Sequence, residues 1–291
     1  MGKAVLSATK LRRRGAYLKG AALGTLGFCT RSAVDTEGLR PQWVEITETD
    51  LSLGTPGHGL GGIRIVQISD IHCSRTVSTE YLRRCIALVN LLEPDIVLLT
   101  GDYITYDIQG RYRQKVIEIL SGVRAGFGVY ACLGNHDYGL RSLPADWRNL
   151  MLSRMVRNME SIGITVLRND STVVDVDGRA LQLVGLGDLQ MEDFQPDKAF
   201  AGVSPGQATI AMVHNPRAAE HLRAYPAGAV LSGHTHGVKR PAVHKLNVKR
   251  RRFHAGMYNL AGRNLYVNRG LGRVGRLRLN ARPEITVHVL S

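Results

Sequence analysis

The sequence predicts an α/β domain with mixed β-sheets and helices packed outside them. Three observations lead there. Short β-branched runs alternate with amphipathic helical segments through the first half of the chain, and the second half is rich in strands. A length of 291 residues with 44% hydrophobic content suits one large domain or two small ones with a sizeable core. Clusters of Asp, Asn and His recur where apolar runs stop, which is where open α/β sheets gather their ligands.

Trp43 to Leu53 alternates apolar and polar residues and reads as a half-buried strand. Gly54 to Gly62 is a Gly- and Pro-rich loop. Ile63 to Ser69 is a β-branched strand that ends at Asp70. Thr79 to Leu92 reads as a helix with Leu82, Ile86 and Val89 on one face, broken by Pro94-Asp95. Ile96 to Leu99 is a buried strand that ends at Gly101-Asp102, and Arg111 to Leu120 is helical. Val129 to Leu133 is a strand ending at Gly134-Asn135, followed by an amphipathic helix over Trp147 to Ile162. Thr165 to Leu167, Val173 to Val176 and Leu181 to Leu186 are successive strands with turn chemistry at Asp177-Gly178. Ala208 to Val213 ends at His214, and Ala229 to Leu231 ends just before Gly233. Arg252 to Tyr258, Leu265 to Val267 and Ile285 to Leu290 complete the strands.

The clusters read Asp70-Ile-His72, Gly101-Asp102, Gly134-Asn135-His136-Asp137, His214-Asn215-Pro216 and Gly233-His234-Thr235-His236-Gly237. Carboxylate and amide oxygens suit hard divalent ions, and imidazole adds affinity for Mn, Fe, Zn or Co. If its strand continues, Asp70 and His72 face the same side and deliver two ligands to one ion, and His234 and His236 have the same spacing. Asp102 is a lone carboxylate after a glycine, suited to bridging two ions. Asn135 offers a neutral oxygen. His136, when protonated, could stabilise phosphoryl charge and donate to a leaving oxygen. Asp137 could orient that histidine or hold its proton. His221, His244, His254 and His288 fit no cluster and are expected to be structural.

The five blocks together resemble the calcineurin-like metallophosphoesterase family, whose pattern is D-x-H, G-D, G-N-H-D/E, H and G-H-x-H. The resemblance covers roughly Ile63 to Ser291. It implies a four-layer αββα sandwich of two mixed β-sheets flanked by helices, with a dinuclear site at the strand ends. It implies that Asp70, His72 and His236 bind the first metal, that Asn135, His214 and His234 bind the second, and that Asp102 bridges both. The ions are two divalent metals, manganese first, with iron, zinc or cobalt as alternatives. A hydroxide between them would attack phosphorus while His136 assists the leaving group, with Asp137 supporting that histidine. Within the family the chain is similar to a bacterial branch that includes general phosphodiesterases and enzymes cleaving UDP-2,3-diacylglucosamine in lipid A synthesis. The similar stretches are Pro41-Gln-Trp-Val-Glu45, Ile65 to His72, His214-Asn-Pro216 and Tyr266 to Gly272. The chain departs at Gly237-Val238-Lys239, where the branch usually has Gly-Gly-Gln.

Charge and the N-terminus bear on partners. Residues 1–34 carry seven Lys/Arg and residues 238–282 carry thirteen, neither with an acid. Against a formal net charge of +14, that leaves the rest of the chain net −6. Such cationic segments suit an anionic phosphoester substrate, an anionic membrane surface or nucleic acid. Lys239, Arg240 and Arg269 are the candidate substrate-binding residues. Residues 1–34 form a basic signal-like or membrane-associating segment, 35–62 a linker and leading strand, and 63–291 the hydrolase domain. The apolar stretch Ala21 to Cys29 is far shorter than the ~20 residues that span a bilayer. It suits an interfacial anchor, an export signal resembling the twin-arginine type at Arg13-Arg14, or a basic arm. The expected location is the periphery of the inner membrane on its cytoplasmic face, with export as the alternative. None of the four cysteines forms a C-x-x-C pair, and Cys73, next to His72, is expected to be a small buried residue. The expected activity is a phosphodiesterase or pyrophosphatase acting on an anionic lipid or nucleotide-sugar-lipid. The alternatives are a phosphomonoesterase, including a protein phosphatase, and a nuclease that stacks bases on Phe253, Tyr258 and Tyr266.

Overall fold

The computed structural model describes residues 44–54, 59–107, 109–237, 252–272 and 281–291. Its strands, in chain order, are β1 (Glu45–Leu51), β2 (Arg64–Ile68), β3 (Ile96–Thr100), β4 (Val129–Cys132), β5 (Ile164–Val166), β6 (Asp170–Val176), β7 (Arg179–Gly185), β8 (Thr209–Met212), β9 (Ala229–Ser232), β10 (Gly256–Leu260), β11 (Arg263–Val267) and β12 (Glu284–Leu290). The helices are α1 (Thr79–Leu91), α2 (Arg111–Leu120), α3 (Ala145–Ser161) and the single turn α4 (Pro196–Ala199). They build two six-stranded sheets, ordered β1-β12-β2-β3-β4-β5 and β10-β11-β9-β8-β7-β6. Both are mixed. In the first, β12 runs antiparallel to β2, whereas β2 through β5 are parallel. In the second, β11, β9, β8 and β7 are parallel and each outer strand is antiparallel to its neighbour.

Strict alternation assigns each side chain to one of three cores. On β3, Ile96 and Leu98 enter the layer between the sheets, and Val97 and Leu99 point to the helices. On β8, Ile210 and Met212 enter the same middle layer, and Ala211 and Val213 point to the opposite outer face. The helical side of the first sheet is covered by α1 to α3, through residues such as Leu82, Val116 and Met155. The outer side of the second sheet is covered by Ala199, Phe200 and a 3-10 helix at Pro216–Leu222. The architecture is therefore helices, sheet, sheet, helices, with every layer joined by buried aliphatic contacts.

Several boundaries differ from those read in the sequence. The leading strand, set outside the domain that was begun at residue 63, pairs along its whole length with β12 and is the edge of the first sheet. Its Leu51, together with Leu53 and Leu60, fills the middle core. The strand expected over Arg252 to Tyr258 starts only at Gly256. Phe253 is tucked into the outer core, and the His254 carbonyl accepts from Thr235 Oγ1, so this stretch is held away from a strand partner. The 3-10 helix and α4 were not anticipated, since neither is long enough to show a 3.6-residue period. The Asp177-Gly178 hairpin is as expected: both residues have positive φ (52° and 81°), and the turn joins Val176 to Arg179. No helix among the described residues is long and apolar enough to cross a membrane. The basic segment 1–34 lies outside the described residues.

Candidate metal centre

Because β2, β3, β4, β8 and β9 all end at the same rim, the clusters that follow them converge. They do so by a different route from the one expected. β2 stops at Ile68, and Asp70 and His72 both sit in the left-handed region, at φ 47° and 49°. Their side chains share a side through two reversals of the backbone, not through a continued strand. Asp102 (58°), His234 (72°) and His236 (54°) are left-handed too. Such conformations cost about 1–3 kcal/mol each for a non-glycine residue and persist only where the surroundings impose them. Here the surroundings are hydrogen bonds between loops. Asp70 N and His72 N donate to the carbonyls of Gly101 and Asp102, at 2.9 and 3.0 Å. His234 N donates to the Asp70 carboxylate, at 3.0 Å to Oδ2. His136 N donates to Asp102 Oδ1 at 2.9 Å. Gly134 and Gly233 leave room for these contacts: a Cβ on the first would collide with Asp102 and on the second with Ser69 and Asp70.

The ligand atoms gather in two groups that could each hold a divalent ion, and a third, His72, Asp102 and His136, shares one residue with each. Asp70, His72 and His236 form the first. His72 Nε2 lies 3.1 Å from His236 Nε2, and His236 Nε2 lies 3.4 Å from Asp70 Oδ1. Asp102, His214 and His234 form the second, with Asn135 Oδ1 3.0 Å from His234 Nδ1. Asp102 Oδ2 stands between the groups, 3.5 Å from His72 Nε2 and 3.0 Å from His214 Nε2. All seven metal candidates from the sequence are thus in one place. His136 joins them, with its ring 4.9 Å from that of His72.

The chemistry of these donors fits cations. His214 donates from Nδ1 to the Thr100 carbonyl at 2.7 Å, so in the neutral ring that a metal would bind it is Nε2 that carries the lone pair. That buried Nε2 has no hydrogen-bond partner, yet it faces two carboxylates. A carbonyl behind the ring that fixes the tautomer and turns the other nitrogen inward is what a metal-binding histidine needs. Two imidazole nitrogens 3.1 Å apart, as in His72 and His236, likewise face a shared point. Electrostatics agree. Burial opposes ionisation of Asp70, but His236 and His214 hold its carboxyl well below the ordinary range. Asp102 is lowered in the same way, against its burial, mainly by His214. Burial opposes a charge on His214, yet Asp102 and Asp70 raise its pKa well above the ordinary value. Two buried carboxylates are demanding positive charge, and a divalent ion supplies it with oxygen and nitrogen ligands already in place.

Two expected roles change. The hydrogen bonds of the Asp137 carboxylate go to backbone N–H groups and not to the His136 ring. Its Oδ2 accepts from Asp102 N (2.9 Å) and Gly134 N (2.8 Å), and its Oδ1 from Tyr103 N (2.8 Å). It therefore clamps the loop after β3 to the loop after β4. His136 is oriented instead by the Thr105 carbonyl, 2.7 Å from its Nδ1. Burial and the nearby Asp102 push the Asp137 pKa up to about 7, against N–H donors that favour the anion. Cations beside Asp102 would cancel the repulsion and leave the donors in charge. Arg269, expected to bind substrate, is ion-paired with Glu45 and Glu284 at 2.9 and 3.0 Å. It ties the first and last strands of the domain behind the loop that packs on Asp70. Lys239 and Arg240 lie outside the described residues. Phe253 and Tyr266 are buried, so they offer no stacking face for bases. Cys73 is fully buried, burial pushes its thiol up to about 11, and it is in none of the ligand groups. His288 is buried between Gln67 and Thr49, a structural histidine as expected.

Sequence reasoning missed Asp188, a fully buried carboxylate just beyond β7. Its Oδ1 accepts from Met191 N, and burial raises its pKa to about 6 while His214 opposes the rise. A signal was present: Gly187-Asp188 repeats the glycine-aspartate pair of Gly101-Asp102 at another strand end. Thr100 and Thr105 were also missed, since they act through carbonyls that every residue has.

Sequence comparison finds relatives along most of the chain. The model of the calcineurin-like phosphoesterase family matches residues 63–238. An uncharacterised metallophosphoesterase of Bacillus subtilis, YkuE, is 34% identical over 265 residues, covering 87% of each chain. The phosphodiesterase YaeI of Escherichia coli is 32% identical over 251 residues, covering 85% of this chain and 88% of that one. The UDP-2,3-diacylglucosamine pyrophosphatase LpxG of Chlamydia muridarum is 29% identical over 300 residues, covering 86% and 90%.

Proposed function

Since the chain belongs to the calcineurin-like phosphoesterase family and is a metal-dependent phosphoric ester hydrolase, we propose that it is a phosphodiesterase or pyrophosphatase acting on an anionic lipid or nucleotide-sugar-lipid at a membrane face. The observation that carries the chemistry is Asp102 standing between two groups of inward-facing imidazoles. Asp70, His72 and His236 would hold one divalent ion, and Asn135, His214 and His234 the other, with Asp102 shared. Manganese is the proposed occupant of both. Such a pair supplies Lewis acidity toward the phosphoryl oxygens and a nucleophile at neutral pH.

The chain's own residues do the rest. His136 is anchored through Nδ1 on the Thr105 carbonyl, which leaves Nε2 to hand a proton to the departing oxygen. Tyr106 packs its ring edge-on against His136 at 5.1 Å and limits the swing of that ring. Asp137 keeps the loops after β3 and β4 in register, so Asp102 and His136 hold their spacing. The lipid part of the proposal rests on the kinship with a diacylglucosamine pyrophosphatase over 86% of the chain and on the basic segments 1–34 and 238–282. Basic segments favour anionic headgroups by about 1 kcal/mol per Lys or Arg that reaches the membrane surface. They also motivate the proposed location, peripheral to the inner membrane on its cytoplasmic face, where such segments meet anionic lipid. The test is a panel of monoesters, diesters and UDP-linked lipids assayed with Mn(II), on membrane and soluble fractions. Release of UMP or lipid phosphate supports the proposal, and preference for monoesters across the panel refutes it.

A further inference from the structure

Asp188 is fully buried, yet it belongs to none of the three ligand groups. Its place follows from sheet register. β7 and β8 run parallel with Gly185 opposite Met212, and Leu186 N donates to the Met212 carbonyl at 3.0 Å. The two strands leave the sheet side by side, so Gly187-Asp188 emerges at the same rim as His214-Asn215. The loop after β4 flanks it as well, since Asp188 N donates to Tyr138 Oη at 3.3 Å. Asp188 is thus packed among the loops that carry Asn135 and His214, two of the three residues proposed for the second ion.

Only half of this carboxylate is used by its own loop. Oδ1 accepts from Met191 N at 2.9 Å and closes the turn after β7. Oδ2 is buried and has no hydrogen-bond partner. Asp188 makes no ion pair among the described residues. Arg168, which reaches the far side of the same loop, is committed to Asp193 through bonds of 2.7 and 3.0 Å. After burial, the groups that act most on the Asp188 charge are His214 and Asp102. Against its own burial, His214 is in turn raised by Asp102 and Asp70, with Asp188 adding to them. The turn requires an acceptor at Oδ1, which the neutral side chains of Asn and Ser also supply. The negative charge is therefore surplus to the loop, and a buried carboxylate is tolerated where a cation answers it.

We infer that Asp188 is a positioning residue of the metal centre, an outer carboxylate that tightens binding of the ion held by Asn135, His214 and His234. It acts on that ion without ligating it. This inference rests on the reading that two ions bind.

The test uses the full chain, stripped of metal and titrated with Mn(II) while electron paramagnetic resonance counts the free ion. The titration is run at about pH 8, where the Asp188 carboxyl, raised by burial to about 6, is ionised. The wild type should bind two ions. Asp188→Asn keeps an acceptor for Met191 N and removes the charge. It should weaken one ion by about 10–100-fold, the usual loss when a partner outside the ligand set is changed. The affected ion is identified by background: the loss should persist in His236→Ala and vanish in His234→Ala. The urea midpoint of the metal-free protein should not fall, because a buried unpaired charge has been removed. Wild-type affinities in Asp188→Asn overturn the inference, as does a loss confined to the ion held by Asp70, His72 and His236. A lowered urea midpoint with both affinities intact makes Asp188 a loop cap and overturns it too. Asp188→Ser, whose hydroxyl also accepts from Met191 N, repeats the measurement; if neither variant folds without metal, the role is structural and the inference falls. A wild type that binds fewer than two ions refutes the two-ion reading by itself, before any variant is compared.

Discussion

Replacing Asp137 by Asn separates a clamp from a proton relay. The carboxylate accepts three backbone N–H bonds at 2.8–2.9 Å while fully buried. A carboxamide has one acceptor oxygen. If that oxygen takes the place of Oδ2, the bonds from Asp102 and Gly134 survive, and the new NH2 confronts the Tyr103 N–H. If it takes the other place, two bonds are lost. A hydrogen bond to a charged acceptor is worth about 1.5–3 kcal/mol, and a buried donor left unmet costs about 1–3 kcal/mol. The expected destabilisation is therefore roughly 3–5 kcal/mol in the better orientation. Urea unfolding of the metal-free protein above pH 8, where the Asp137 carboxyl, raised to about 7, is ionised, measures it. Metal affinity should fall as well, because the loops carrying Asp102 and Asn135 lose their register. The pH–rate profile, normalised to metal-loaded enzyme, should keep its shape, since His136 is oriented by Thr105 and not by Asp137. An Asp137→Asn protein with wild-type stability and a displaced acid limb would refute the clamp and restore the relay.

Three further substitutions probe neighbouring contacts. His136→Ala should retain both ions by elemental analysis yet lose about 10²–10⁴-fold in turnover of esters with poor leaving groups, with a smaller loss for p-nitrophenol. Asp102→Ala removes the one oxygen shared by both groups, so metal content should fall and activity with it; full activity would end the two-metal reading. Burial lowers the His288 pKa to about 3, so the folded protein keeps this ring neutral while the unfolded chain protonates it near 6.5. Its stabilising contribution is complete above pH 6.5 and is lost as pH falls toward 3, in total about 5 kcal/mol. His288→Gln should flatten the stability profile of metal-free protein between pH 6.5 and 4, and an unchanged slope would disprove that share.

What could be read from the sequence was whatever a periodicity or a residue type records. α2 begins and ends where the pattern places it, at Arg111 and Leu120, because its apolar face repeats over three turns. The ligand clusters were visible because Asp, Asn and His at strand ends are chemically distinctive. Backbone reversals are not recorded that way. Nothing in Asp70-Ile-His72 announces two left-handed residues, since the hydrogen bonds that impose them come from Gly101, Asp102 and the loop after β9. Carbonyl acceptors are equally silent, which is why Thr105 was missed and Asp137 was credited with its task. Arg269 was misjudged for a related reason: a cation in a basic stretch looks available until Glu45 and Glu284, at opposite ends of the domain, are seen beside it.

The site and its surroundings also obey different constraints. Left-handed ligands, packed carboxylates and an unpartnered Nε2 are each unfavourable in the metal-free protein, at about 1–3 kcal/mol apiece. They are tolerated because the middle core and the clamps at Asp137 and Glu284 over-determine the loops, and because bound ions return the cost as binding energy that is also folding energy. A change in any ligand therefore forfeits both reaction and stability. The outer face of α3 carries no such penalty: Trp147 and Leu150 are 45% and 43% exposed, and neither is held by a ligand or a clamp of the site. Experiments on the chemistry therefore belong at the strand ends, where ligands and the clamps that hold them are set by the same hydrogen bonds.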